Sequence, residues 1–121
     1  MKVILILLLV FPVFIDEPLI YVRKEAEMVL AIVSAYSPRK EETDSTPFIT
    51  AANKRVRDGI VANNCLKLGS IVEIGGRNYV VEDRMNRRYD CKHYDIFHWS
   101  LAEALEFGRQ TLEVKIVYAK E

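Results

Sequence analysis

A chain of 121 residues suits one domain and is too short for two of ordinary size. Seventeen Lys and Arg balance seventeen Asp and Glu, which argues against a nucleic-acid binder working through bulk positive charge. Half the residues are hydrophobic and 28% are charged, with four Pro and five Gly, so a disordered, collagen-like or linker protein is excluded.

Lys2 precedes an apolar run from Val3 to Ile15, interrupted by Pro12 and closed by Asp16-Glu17. A spanning helix needs about 20 apolar residues, so the run is short for a membrane crossing and resembles a secretory leader. A buried strand or helix is the alternative. No small-x-small cleavage site follows Ile15, so residues 1–25 are expected to be a signal peptide or a short membrane anchor acting through residues 1–15. The working domain then spans residues 26–121 and is exported to the cell envelope, periplasmic or extracellular. Cys65 and Cys91 fit that setting, because an even pair in an oxidising compartment invites one disulfide. Two separate buried thiols are the alternative. Neither cysteine has a CxxC partner, so no metal site is expected.

Glu27 to Tyr36 is apolar and β-prone and ends at Ser37-Pro38. Arg39 to Ser45 reads as a solvated loop, Thr46 to Ala51 as a short strand, and Gly59 to Ala62 as another before an Asn63-Asn64 turn. Ser70 to Ile74 and Asn78 to Glu82 flank Gly75-Gly76-Arg77, a hairpin signature. A charged loop from Asp83 to Lys92 leads to a strand at His93–Phe97. Ser100 and Glu103 form a capping box for a short helix whose face carries Leu101, Ala104 and Leu105, with Gly108 as its C-cap. From Thr111, Leu112, Val114, Ile116 and Tyr118 alternate with Glu113 and Lys115, the period of a half-buried strand. Many short strands, one brief helix and no βαβ rhythm predict a small closed or nearly closed β-barrel.

Seven pieces then occur in one order: Ser34-Ala35-Tyr36-Ser37-Pro38, Ile49-Thr50-Ala51-Ala52, Gly59 to Asn64, Leu68-Gly69-Ser70, Val81-Glu82-Asp83, Tyr94-Asp95-Ile96-Phe97 and Glu103 to Thr111. This order, from about Val33 to Val117, resembles the three-aspartate (3D) domain of membrane-bound lytic transglycosylase A and of stationary-phase relatives of resuscitation-promoting factors. The resemblance implies a mainly β fold: a six-stranded double-psi β-barrel with one or two short helices. It also implies a monomer that cleaves peptidoglycan glycan strands without a cofactor. The rare lipoprotein A family and expansins share that barrel, and a non-catalytic glycan-binding module is the alternative function.

By motif, two family aspartates fall on Asp83 and Asp95. Asn63, or Asn64, stands where the remaining one is expected. A lytic transglycosylase lets the C6 hydroxyl of MurNAc attack its own anomeric carbon, leaving a 1,6-anhydro ring. One carboxyl can act as acid and then as base, unlike the two-carboxylate pattern of ordinary glycosidases. The resemblance makes Asp83 that group, with Asp95 supplying a like charge or orienting the sugar. The competing reading pairs Asp83 with Arg84, Arg87 or Arg88. Tyr36, Thr50 and Asn63 occupy motif positions expected to line the groove, although Tyr36 fits the barrel core equally well. Arg84 and Asn86 replace the family's glycines in the loop after Asp83 and either narrow the groove or touch sugar. Cys65 and Cys91 fall in the two loops beside it, so a disulfide would tie its rims and enclose the hairpin. Trp99, Tyr89 and Tyr94 are candidates for sugar stacking or for packing, and His98 reads as structural. Arg55/Arg57 and Arg87/Arg88 suit phosphate-bearing polymers or, more simply, a solvated face.

Overall fold

The structure, a computed structural model, describes residues 26–39 and 47–121. The expected leader (residues 1–25), and the loop before residue 47 apart from Arg39, lie outside the described residues. Six strands and one helix follow one another as β1 Glu27–Tyr36, β2 Ile60–Ala62, β3 Ile71–Ile74, β4 Arg77–Asp83, β5 His93–Phe97, α1 Leu101–Phe107 and β6 Gln110–Tyr118. They close into a barrel in the order β1-β5-β2-β4-β3-β6. Two neighbour pairs, β1/β5 and β2/β4, are parallel, and the other four are antiparallel. Closure leaves no strand edge unpaired, which removes the usual route to edge-to-edge aggregation. The described residues are mainly β, a closed six-stranded mixed barrel with one short helix, and their strand order is compatible with the expected double-psi barrel.

Alternation along the strands builds the interior. Ala31 and Val33, Val61, Val72 and Ile74, Val81, Tyr94 and Ile96, and Val114 point inward, so all six strands contribute. Each fully buried Val or Ile contributes about 1.5–3 kcal/mol, and a charge at Val114 would break the closure of β6 on both its neighbours. A second cluster forms outside the barrel wall, where Tyr36, Ile60, Ala62 and Phe97 are covered by Val56 and Met85. That cover turns the outer face of β1, β5 and β2 into a second buried layer.

Local chemistry sets the boundaries. Ile74 pairs with Arg77, so the hairpin turn is Gly75-Gly76 alone and Arg77 already belongs to β4. Both glycines have positive φ, 60° and 80°, as a two-residue turn matched to strand twist requires. Ser100 Oγ accepts the Glu103 N–H at 3.0 Å and caps α1, while Gly108 closes it at positive φ by donating to Ala104 O. Three sequence expectations are corrected. In place of the expected strand at 46–51, residues 47–51 make only an isolated bridge between Ile49 and Arg55, because Thr50 N–H bonds Lys54 O and Asn53 takes a positive φ, folding the segment into a tight turn. Leu105 is 69% exposed, leaving Ala104 as the buried helix residue. Tyr118 lies exposed beyond the core-facing Val114.

Candidate active site

The site starts from a row of residues crossing three strands. Asp95 on β5 is in register with Ala62 on β2, and Ala62 is in register with Asp83 on β4. On the other side of β5, Ser34 pairs with Asp95. Two interstrand steps separate the acids, about 10 Å between backbones, with the buried Ala62 on the strand between them. A bulge in the β2/β4 pairing puts Glu82 and Asp83 opposite Ala62. A bulge re-aims side chains, and here consecutive acids both serve the outer layer, where strict alternation would have separated them.

The Asp83 carboxylate accepts three hydrogen bonds. Tyr36 Oη donates to Oδ2 at 2.9 Å, and the backbone N–H groups of Ala51 and Arg84 donate to Oδ1 at 3.1 and 2.9 Å. Oδ1 is thereby occupied twice, and the remaining lone pair of Oδ2 is the carboxylate's open position. Tyr36 is 5% exposed. Burial first, and the adjacent Asp83 charge second, push its phenol far above the ordinary tyrosine range. It therefore stays a hydrogen-bond donor at every physiological pH. Asp95 is half-buried and accepts from Ser34 Oγ at 3.1 Å.

None of the three arginines that follow Asp83 forms an ion pair with it. Arg84, the nearest candidate, sends Nη1 to the carbonyls of Asn63 and Leu66, both at 2.6 Å. Among the described residues no Lys or Arg forms an ion pair with Asp83. The arginine that does pair is one the sequence reading placed on a solvated face. Arg57 makes a two-pronged ion pair with Glu82, Nη1 to Oε2 and Nη2 to Oε1 at 2.6 Å. Glu82 is only 2% exposed, and Lys54 Nζ approaches it at 3.7 Å. That bond holds the guanidinium above its usual range. With the Ala52 N–H to Glu82 O bond, it fastens the 47–57 segment over the outer layer and so fixes the Ala51 N–H on Asp83. Sequence inspection missed Glu82, whose apolar neighbours Val80 and Val81 were the only local hint.

The other expected site residues divide. Asn63 is 0% exposed. Its Nδ2 donates to Cys91 O and His93 O, and its Oδ1 accepts from Cys65 and Leu66 N–H. All its capacity is used internally, so it clamps loops and does not face a groove. Asn64 does the same for the loop after β4, donating to Asn86 O and Tyr89 O and accepting from Met85 N–H. Thr50 is also buried, its hydroxyl accepting the Lys54 N–H at 3.2 Å. Asn86 is exposed, but its Oδ1 accepts the Arg88 N–H. Cys65 and Cys91 are joined as a disulfide, alongside the Asn63 clamp. Tyr94 belongs to the barrel core, and Tyr89 lies against His93 and under Arg88. His98 is structural in its backbone role, donating N–H to Tyr36 O. Ser34, Tyr36, Asp83 and Asp95 are the residues the fold brings together.

No protein-family model matches the chain, and no curated protein matches it either.

Proposed function

We propose that this protein is a peptidoglycan-cleaving lytic transglycosylase of the three-aspartate, double-psi barrel type, acting on the MurNAc–GlcNAc bond. The observation that carries the reading is the Asp83 carboxyl. It stands at the end of β4, partly exposed, braced by Tyr36 and two backbone amides and, among the described residues, in no ion pair with arginine. The ordered motif pieces around Tyr36, Asp83 and Asp95 support the family reading.

In this mechanism Oδ2 of Asp83 delivers a proton to the glycosidic oxygen as the bond from C1 breaks. The resulting carboxylate then takes the proton of the C6 hydroxyl as O6 closes on C1, which returns Asp83 to its starting state without consuming water. Tyr36 fixes the rotamer of Asp83 so that Oδ2 points at the bond. Asp95, steadied by Ser34, orients the sugar from the other side of Ala62. The Cys65–Cys91 disulfide supports export to an oxidising envelope compartment, and residues 1–15 would supply any membrane attachment.

A second reading, glycan binding without cleavage, is favoured by one observation. Both Asn63 and Asn64, the two candidates for the missing third acid, are amides engaged with backbone. Incubation of purified sacculi with the protein separates the two. Release of soluble muropeptides supports cleavage, and retention on sacculi with no release supports binding alone.

A further inference from the structure

We propose that Trp99 is an outlying sugar platform for the glycan strand held at Asp83, an inference that rests on the glycan reading above. Asp95 and Phe97 share the outer parity of β5, and Trp99 follows two residues later in the bend beyond the strand end. The contacts are continuous. Tyr36, whose hydroxyl bonds Asp83, meets the Phe97 ring at 5.6 Å between centroids, and Phe97 meets Trp99 at 5.0 Å with planes 81° apart. Phe97 is buried, whereas the indole is 51% exposed.

A single exposed apolar residue ordinarily needs no explanation. Trp99 differs because the buried ring beneath it is the same ring that packs Tyr36 against the acid. The Phe97 contact holds the indole against the wall while about half of it stays open to solvent. It lies three contacts from the carboxyl along the wall. The negative face of an aromatic ring attracts C–H groups bearing partial positive charge, and the axial face of a pyranose presents several. The ligand class is therefore the GlcNAc or MurNAc ring of a strand whose cleaved bond lies at Asp83. The peptide stem is not the predicted contact.

Trp99 is the only tryptophan in the chain, so its emission reports on this position alone. Full-chain protein carrying Asp83→Asn, to prevent turnover, is titrated with stem-free glycan strands while binding is followed in parallel by calorimetry. The expected result is a saturable change in emission with the calorimetric midpoint. Affinity should fall about tenfold in Trp99→Ala and recover substantially in Trp99→Phe. Calorimetric binding with unchanged emission, and full affinity in Trp99→Ala, overturns the platform while leaving the glycan reading intact. An emission change that needs strands bearing peptide stems also overturns it. Absence of binding by both methods overturns the glycan reading and the platform with it.

Discussion

Removal of the Cys65–Cys91 disulfide should lower stability by about 3.5 kcal/mol. The bridge spans a sequence separation of 26, and the loop-closure entropy for a ring of that size gives this figure at room temperature. The ring encloses β3, the Gly75-Gly76 turn and β4, one third of the barrel wall. In the folded state the two loops are also joined by Asn63, which bonds the carbonyls of Cys91 and His93. The native arrangement should therefore survive, and the loss should fall on the denatured state. Urea unfolding of the oxidised protein and of the Cys65→Ala/Cys91→Ala variant, followed by circular dichroism, measures it. The expected outcome is an unchanged folded spectrum, an equal or larger m value, and a thermal midpoint lower by roughly 15–25 °C. A loss below about 1 kcal/mol would refute the reasoning, as would a folded spectrum that changes with the bridge.

Arg57→Ala leaves Glu82 buried with, among the described residues, only the more distant Lys54 as a counter-charge. A cost of about 2–3 kcal/mol is expected, toward the lower end for broken buried pairs because Arg57 itself is half exposed; denaturant midpoints test this, and a neutral result would mean the pair does not hold the 47–57 segment. Alkaline stability follows from Tyr36 and Tyr94, whose folded-state ionisation is raised chiefly by burial. Their contribution is complete below the unfolded value near 10 and is lost as pH climbs above it. Tyrosinate absorbance should therefore show both phenols ionising only with cooperative unfolding, with Tyr36→Phe removing one phenol from that step. Asn64→Asp replaces the donor to Asn86 O and Tyr89 O with an acceptor. It should destabilise by roughly 2 kcal/mol, read from thermal midpoints beside the wild type.

Local patterns in the chain carried the strands further than the site. Glu27–Tyr36 and His93–Phe97 are bounded by Ser37-Pro38 and by the Ser100 cap, signals a few residues away, and both strands form where expected. The hairpin is equally local, since Gly75-Gly76 dictates its turn. The outer layer depends on segments far apart in sequence. Alternation alone makes Glu82 a solvent-facing residue, and only the folding of 47–57 across β2 and β4 buries it against Arg57. The same long-range cover explains why Thr50 reads as a strand residue yet serves a turn. Asn63 and Asn64 show the limit of motif transfer: the sequence places them near the groove, but backbone carbonyls from the 86–93 loop claim their amides. The strand positions of Asp83 and Asp95 follow from local pattern, whereas the register through Ala62 that relates them is long-range and has no local signal.

The most direct test follows the mass of the released sugar ends. Glycan strands digested by wild-type protein should yield MurNAc termini one water lighter than hydrolysis products, and Asp83→Asn, which keeps the shape but cannot carry the proton, should yield none. Hydrated termini, or anhydro termini released undiminished by Asp83→Asn, would contradict the assignment of proton transfer to Asp83.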